Sequence, residues 1–174
     1  MRNLILGGAG FIGANLNVAL TSKKDTNLSV DSLLMGDNLL RTGLKYDLII
    51  ENIDNHSTLW KIISDFKPNR IYHLAANSDI SASNTQIDLN NTFLTSYFVV
   101  EACRAAQVQP EIIFASTSAV YGNINGKIKE DSIMHPISSY GWTKLHSEVI
   151  LKKALENGIF SKLLIVRFPN VTGK

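Results

Sequence analysis

A strand, a glycine turn and a helix follow one another at the start of this chain, and that order leaves few folds open. Asn3-Leu4-Ile5-Leu6 is a short apolar run that reads as a buried strand, and it leads directly into Gly7-Gly8-Ala9-Gly10-Phe11-Ile12-Gly13. The residues from Ala14 to Lys24 read as a helix. Gly8-x-Gly10-x-x-Gly13 satisfies the G-x-G-x-x-G pattern, and Gly7-x-x-Gly10-x-x-Gly13 satisfies its G-x-x-G-x-x-G variant. Glycines in such a turn let the backbone bend tightly and approach a pyrophosphate, whose charge rests on the helix N-terminus. The pattern predicts a dinucleotide held along Gly7, Gly10, Phe11, Ile12 and Gly13.

Such a turn calls for an acidic residue about twenty positions on, at the end of the second strand, to hold the adenosine ribose hydroxyls. Asp31 lies 18 residues after Gly13 and Asp37 lies 24 after it. Lys23-Lys24-Asp25-Thr26-Asn27 reads as a polar loop, which leaves Ser32-Leu33-Leu34-Met35 as the strand and places Asp37, followed by Asn38, at its carboxyl end. Asp37 is therefore the preferred ribose ligand and Asp31 the competitor. A carboxylate there suits the free 2′-hydroxyl of NAD, while Arg41 nearby leaves the 2′-phosphate of NADP open.

Further along, apolar runs alternate with helical patterns. Tyr46 to Ile50 gives a third strand, His56 to Phe66 a helix broken by Pro68-Asn69, Arg70 to Leu74 a fourth strand, and Asp88 to Gln107 a long helix. Glu111 to Ala115 is a fifth strand, Ser116 to Ser139 a polar loop, Tyr140 to Glu156 a helix and Lys162 to Val166 a sixth strand. Strands separated by helices make an α/β fold with a parallel, doubly wound sheet, here one dinucleotide-binding (Rossmann) domain over residues 1–174. Ligands of such sheets lie beyond the carboxyl ends of the strands.

Composition excludes several classes. A hydrophobic content of 45% and a charged content of 18% fit a soluble globular protein, and a net charge of +2 with no basic patch gives no reason to expect nucleic acid or an anionic membrane as partner. No apolar run reaches the ~18 residues of a membrane-spanning helix, and the strand at the N-terminus leaves no room for a signal peptide. Cys103, the single cysteine, falls in a helical apolar pattern and reads as a core thiol. The expected compartment is the cytoplasm. His56, His73, His135 and His146 have no metal-ligand spacing with Cys103, so no metal is expected. Glu130-Asp131 reads as a solvated loop.

Chemistry gathers at the later strand ends. Tyr140 and Lys144 are one helical turn apart and project from the same face. An ammonium beside a phenol favours phenolate, which lets the tyrosine exchange protons with an alcohol. After the fourth strand the chain reads His73-Leu74-Ala75-Ala76-Asn77-Ser78-Asp79, with small residues at 75 and 76 that allow close approach of a cofactor. After the fifth it reads Ser116-Thr117-Ser118-Ala119-Val120-Tyr121-Gly122, a hydroxyl cluster able to bond the oxygen that Tyr140 serves.

Taken together, Gly7 to Gly13, His73 to Ala76, Ser116 to Gly122, Tyr140 to Lys144 and Arg167-Phe168-Pro169-Asn170-Val171 closely resemble the extended short-chain dehydrogenase/reductases, in particular the NAD-dependent nucleotide-sugar epimerase/dehydratase family. The resemblance runs from Met1 to Gly173, and His73 to Ser81 and Asn91 to Thr95 look most like the UDP-glucose 4-epimerase branch. It implies NAD as cofactor, a nucleotide sugar as substrate and a homodimer built on the Asp88 to Gln107 and Tyr140 to Glu156 helices. It further implies Tyr140 as acid/base, Lys144 on the nicotinamide ribose and Thr117 orienting the substrate hydroxyl. Asn52 and Ile53 would flank the adenine, although an aspartate is more usual at the former. Leu74, Ala75, Ala76, Asn91, Phe168 and Asn170 would complete the cofactor site, and Ser78, Ser118 and Asn170 would meet the substrate.

Within the family, dehydratases resemble Thr-Asp-Glu starting at the catalytic threonine, and decarboxylases usually retain a glutamate two places after it. Here Thr117-Ser118-Ala119 carries no carboxylate. Oxidation at C4 and hydride return to the other face need only Tyr140, so the pattern favours a 4-epimerase over a dehydratase or 4-keto reductase. A dinucleotide-binding module without turnover has no need of Tyr140, Lys144 and Thr117. Family members usually continue into a smaller C-terminal lobe over the sugar, and this chain stops at Lys174 before it.

Overall fold

The computed structural model describes residues 1–21, 23, 25–34, 37–38, 43, 46–77 and 84–172. Among these, six parallel strands form one sheet: β1 (Arg2–Leu6), β2 (Thr26–Asp31), β3 (Asp47–Ile50), β4 (Arg70–His73), β5 (Glu111–Thr117) and β6 (Lys162–Phe168). Their spatial order is β3-β2-β1-β4-β5-β6. The chain winds outward from β1 to one edge, then returns to β4 on its other side and winds to the opposite edge. The reversal between β1 and β4 opens a crevice at their carboxyl ends, the place where dinucleotides bind in such sheets.

The alternation of side chains along the strands builds two cores. From β1, Leu4 and Leu6 join Ile71, Ile112 and Phe114 in the larger one, under α2 (His56–Phe66), α4 (Thr95–Ala105) and α5 (Ser139–Glu156). Ile5 faces the other way and packs with Leu20 of α1 (Phe11–Thr21) and with Tyr72. Burying a large apolar side chain contributes roughly 1.5–3 kcal/mol, so period-two alternation alone fixes which face each helix covers. Asn55 caps α2, accepting from the Thr58 N–H at 2.9 Å, and Lys67 ends it in the left-handed region at φ 47° before Pro68.

The second strand lies six residues earlier than the apolar pattern suggested, at Thr26–Asp31 in place of Ser32 to Met35. Its polar residues are paired within the fold. Asn27 accepts from Asn3 Nδ2 at 2.8 Å, and buried Ser29 accepts from Asn17 Nδ2 at 2.9 Å. Leu33 has φ 59°, a left-handed conformation that cannot continue a strand, and Leu34 is 76% exposed. The long helix is also subdivided, into α3 (Thr85–Asp88), a π-helical turn over Leu89–Leu94, and α4. Strands β5 and β6 run two residues further than expected, which brings Ser116, Thr117, Arg167 and Phe168 into the sheet. Among the described residues no helix is long and apolar enough to cross a membrane.

Candidate functional site

A cavity of about 770 Å³ follows the carboxyl ends of the strands from β2 to β6. Its size suits an extended ligand. At its centre the glycine turn passes directly beneath the segment after β4. Gly7 has φ 81°, and a Cβ on it would come within 2.7 Å of the Ala75 backbone nitrogen. A Cβ on Gly13 would meet the Gly7 carbonyl oxygen at 2.3 Å, so the turn closes only with glycine at both positions. The first helical bond runs from Ala14 N–H to the Gly10 carbonyl at 2.9 Å, which leaves the leading amides of α1 at the cavity wall formed by Gly10, Phe11, Ile12 and Gly13. That arrangement of donors fits a pyrophosphate.

The adenosine end departs from the sequence expectation. Asp31, the last residue of β2, lines the cavity, whereas Asp37 does not. The physical reason is the strand shift described above: Thr26 and Asn27 belong to the strand, so its carboxyl end falls at Asp31. Asp31 accepts from the Ala9 N–H and from the Leu33 N–H, each at 2.9 Å. Asn38 also lines the cavity and donates through its backbone N–H to the Ala9 carbonyl at 2.9 Å. Asn52 and Ile53 lie on the same end, with Asn52 Nδ2 donating to Asp54 at 2.9 Å.

The other end holds the proton-transfer groups. Thr117 ends β5 opposite Phe168 of β6, and both line the cavity with Asn170. Thr117 Oγ1 accepts from the Ala119 N–H at 3.2 Å, which aims the start of the following 3₁₀ turn, Ser118–Tyr121. Ser118 is not part of the cavity wall, and Ser78 lies outside the described residues. Leu74, Ala75, Ala76 and Asn91, the last on the π-helical turn, line the wall. π-helical turns recur at functional sites because they shift a helical side chain out of register with its neighbours.

Tyr140 and Lys144 rise from α5, whose first turn is capped by Ser138 accepting from the Gly141 N–H at 3.1 Å. Both line the cavity. The Lys144 ammonium donates to the Ala115 carbonyl at 2.6 Å and lies 4.8 Å from the Phe114 ring centre and 6.0 Å from that of Tyr140. Complete burial brings the Lys144 pKa down to about 7, against a smaller upward pull from Glu148. The Tyr140 phenol is not biased towards phenolate here: burial, and then the Asp88 charge, raise its pKa. The expected pull from Lys144 does not set the direction, because its ammonium is directed at the Ala115 carbonyl while Tyr140 is itself desolvated near an anion.

Two buried carboxylates behind the wall, Glu148 and Asp88, were not singled out in the sequence. Glu148 is fully buried and accepts from Ser116 Oγ at 2.6 Å and from Arg167 Nη2 at 2.7 Å. A signal for it existed, since Tyr140, Lys144 and Glu148 recur every four residues on one helical stripe. Asp88 and Asn77, joined at 2.9 Å, carry no such spacing. His73 is wholly buried, with Nε2 at 2.9 Å from Ser96 Oγ, and desolvation, aided by Lys144, lowers its pKa to about 3.

A family model described as the NAD dependent epimerase/dehydratase family matches residues 3–174. The chain belongs to that family. Its cofactor is NAD, and the glycine turn, the leading amides of α1 and the Asp31 carboxylate form a cradle of the right chemistry for it. Among curated proteins, the ADP-L-glycero-D-manno-heptose-6-epimerase of Brachyspira hyodysenteriae is 28% identical over 98% of this chain and 54% of its own length. Among solved structures, the UDP-glucuronic acid 4-epimerase of Bacillus cereus in complex with NAD is 30% identical with a TM-score of 0.85, covering 99% of this chain and 58% of that one. The UDP-glucose 4-epimerase of Brucella ovis in complex with NAD is 26% identical with a TM-score of 0.88, covering 97% and 52%. The chain thus spans little more than half the length of the epimerases it matches.

Proposed function

We propose that the protein is an NAD-dependent nucleotide-sugar 4-epimerase, in which residues 1–174 serve as the cofactor-binding domain. One observation carries this reading: Thr117, Tyr140 and Lys144 line the same cavity as the glycine turn, while positions 118 and 119 supply no carboxylate. Epimerisation by oxidation and re-reduction at one carbon needs a single proton carrier beside the hydride path, and elimination of water needs an additional acid and base. When bound, NAD would supply the hydride-accepting and hydride-donating chemistry. Tyr140 takes the proton of the sugar C4 hydroxyl and later returns it. Thr117 positions that hydroxyl by a hydrogen bond, and Lys144 anchors the nicotinamide ribose. Asp31 holds the adenosine ribose, and Asn170 meets the substrate beyond Phe168.

A homodimer completes the proposal. The outer faces of α4 and α5 present Tyr97, Trp142 and Val149, which are 39%, 42% and 57% exposed, and a second copy of the chain packed on these helices would cover them.

The testing experiment offers UDP-glucose and UDP-galactose to the full-length protein and follows interconversion with no reduced cofactor added. Product in both directions supports the epimerase. Product only with stoichiometric NADH identifies a reductase, and accumulation of a 4-keto-6-deoxy sugar identifies a dehydratase. Tyr140→Phe should lower turnover by about two to four orders of magnitude with NAD still bound.

A further inference from the structure

Asp88 ends α3 immediately before the π-helical turn, and its side chain is completely buried. Its Oδ1 accepts from Asn77 Nδ2 at 2.9 Å, and its Oδ2 accepts from the Ser139 hydroxyl. Asn77 lies in the segment that leaves β4 along the cavity, and its own backbone N–H donates to Thr92 Oγ1 on the π-helical turn at 3.3 Å. Ser139 opens α5 and directly precedes Tyr140. One carboxylate therefore ties together the exit of β4, the π-helical turn and the start of the helix that carries the proton carrier. Asp88 is not itself part of the cavity wall, so it is not placed to touch a ligand.

Joining three segments does not require a charge. An amide or hydroxyl makes such bonds without the several kcal/mol that burying an anion costs, which points to a task for the charge itself. We propose that Asp88 is a positioning residue for Tyr140: its buried carboxylate holds the start of α5 against the β4 exit, and its negative charge opposes loss of the phenolic proton. The second half follows from Coulomb's law, because an anion near a phenol destabilises a second anion on it, and burial of both weakens the screening. It agrees with the upward shift of Tyr140, to which burial contributes most and Asp88 next. Among the described residues, the other titratable and charged groups around the pair include Lys144 one turn on in α5, His73 from β4, and beyond Lys144 the Glu148–Arg167 pair. His73 stays neutral down to about pH 3.

The inference rests on the epimerase reading only in naming Tyr140 as the proton carrier, and its test needs no turnover. In the full-length protein with NAD bound, the tyrosinate ultraviolet absorbance is titrated against pH. Subtracting the same titration of Tyr140→Phe isolates the one phenol, so the titration of Lys144 does not enter the signal. Asp88→Asn keeps the shape and removes the charge. The expected result is that Tyr140 ionises about half a unit to one unit lower in pH than in the wild type. A purely structural role for Asp88 would lower stability and leave the midpoint in place, and an unmoved or higher midpoint overturns the proposal. Should Asp88→Asn not fold, Ser139→Ala takes its place. It keeps the carboxylate but removes a hydroxyl that shares its charge, so the midpoint should rise by a few tenths of a unit, and a fixed or lower midpoint overturns the proposal. Absence of sugar interconversion would sink the epimerase reading and leave this titration intact.

Discussion

Arg167 on β6 and Glu148 on α5 meet through two hydrogen bonds, Nε to Oε1 at 2.9 Å and Nη2 to Oε2 at 2.7 Å, in the layer between sheet and helix. Around them Ser116 donates to Glu148, and Arg167 Nη1 donates to the Tyr121 hydroxyl at 2.6 Å and the Glu130 carbonyl at 3.0 Å. The pair thereby pins the carboxyl ends of β5 and β6, which carry Thr117 and Phe168, to the helix that carries Tyr140 and Lys144. The geometry of the candidate site depends on a charge pair that lies outside the cavity wall.

Removing one partner of a buried pair leaves the other uncompensated, so Glu148→Gln should destabilise the protein by about 3–5 kcal/mol in urea unfolding. Burial opposes the Glu148 charge, but the Arg167 and Ser116 hydrogen bonds outweigh it and hold the carboxyl below the usual range. A carboxylate whose folded pKa is depressed adds stability above its unfolded value and loses it as pH falls through the folded one. Wild-type stability should therefore fall between about pH 5 and 3, and Glu148→Gln should lose less over that window.

Lys144 carries the opposite liability. Its pKa of about 7 when folded lies below the ordinary lysine value of 10.5, so between these limits the unfolded chain binds more protons and stability rises with pH. Thermal denaturation should show the wild type gaining stability from about pH 7 to 10, and Lys144→Met should lack that gain and be the more stable protein at the lower pH. Its turnover should be largely lost. A wild type with no such rise would contradict the placement of a buried lysine here.

Asp31→Ala should weaken NAD binding by roughly 1.5–3 kcal/mol in calorimetry, the usual worth of a hydrogen bond to a charged group. Asp37→Ala should leave it unchanged, and NADP binding should be less affected by either. Loss of affinity in Asp37→Ala with none in Asp31→Ala would restore the assignment that the sequence alone favoured.

Light scattering of the full-length protein at micromolar concentration should give a dimer mass, and Trp142→Glu together with Val149→Glu should give the monomer, because charges on a face buried between copies are not solvated. A monomeric wild type would remove the dimer from the account.

Much of the fold was legible because burial imposes periodicity. Five of the six strands were anticipated where they lie, as were the glycine turn and the helix from His56 to Phe66, and the parallel, doubly wound order followed from their alternation with helices. The second strand was misplaced because its polar residues, Asn27 and Ser29, are paired inside the fold with Asn3 and Asn17, a compensation that no hydropathy pattern records. That single shift is why the sequence favoured Asp37, whereas Asp31 is the one that lines the cavity. Tyr140, Lys144 and Thr117, which line the cavity, were legible as candidates because they are local to one helix and one strand end. Asp88 was not, since what it joins lies 11 residues before it and 51 after it.

The central claim is that a hydride leaves C4 of the sugar and returns to the same carbon. Its most direct measurement supplies UDP-galactose deuterated at C4 to the full-length protein in ordinary water and examines the UDP-glucose formed by mass spectrometry. The account predicts that the label stays on the sugar, held on the bound cofactor between the two halves of the reaction and never exchanging with solvent. Loss of the label to water would contradict it, because the hydrogen would then have left C4 as a proton.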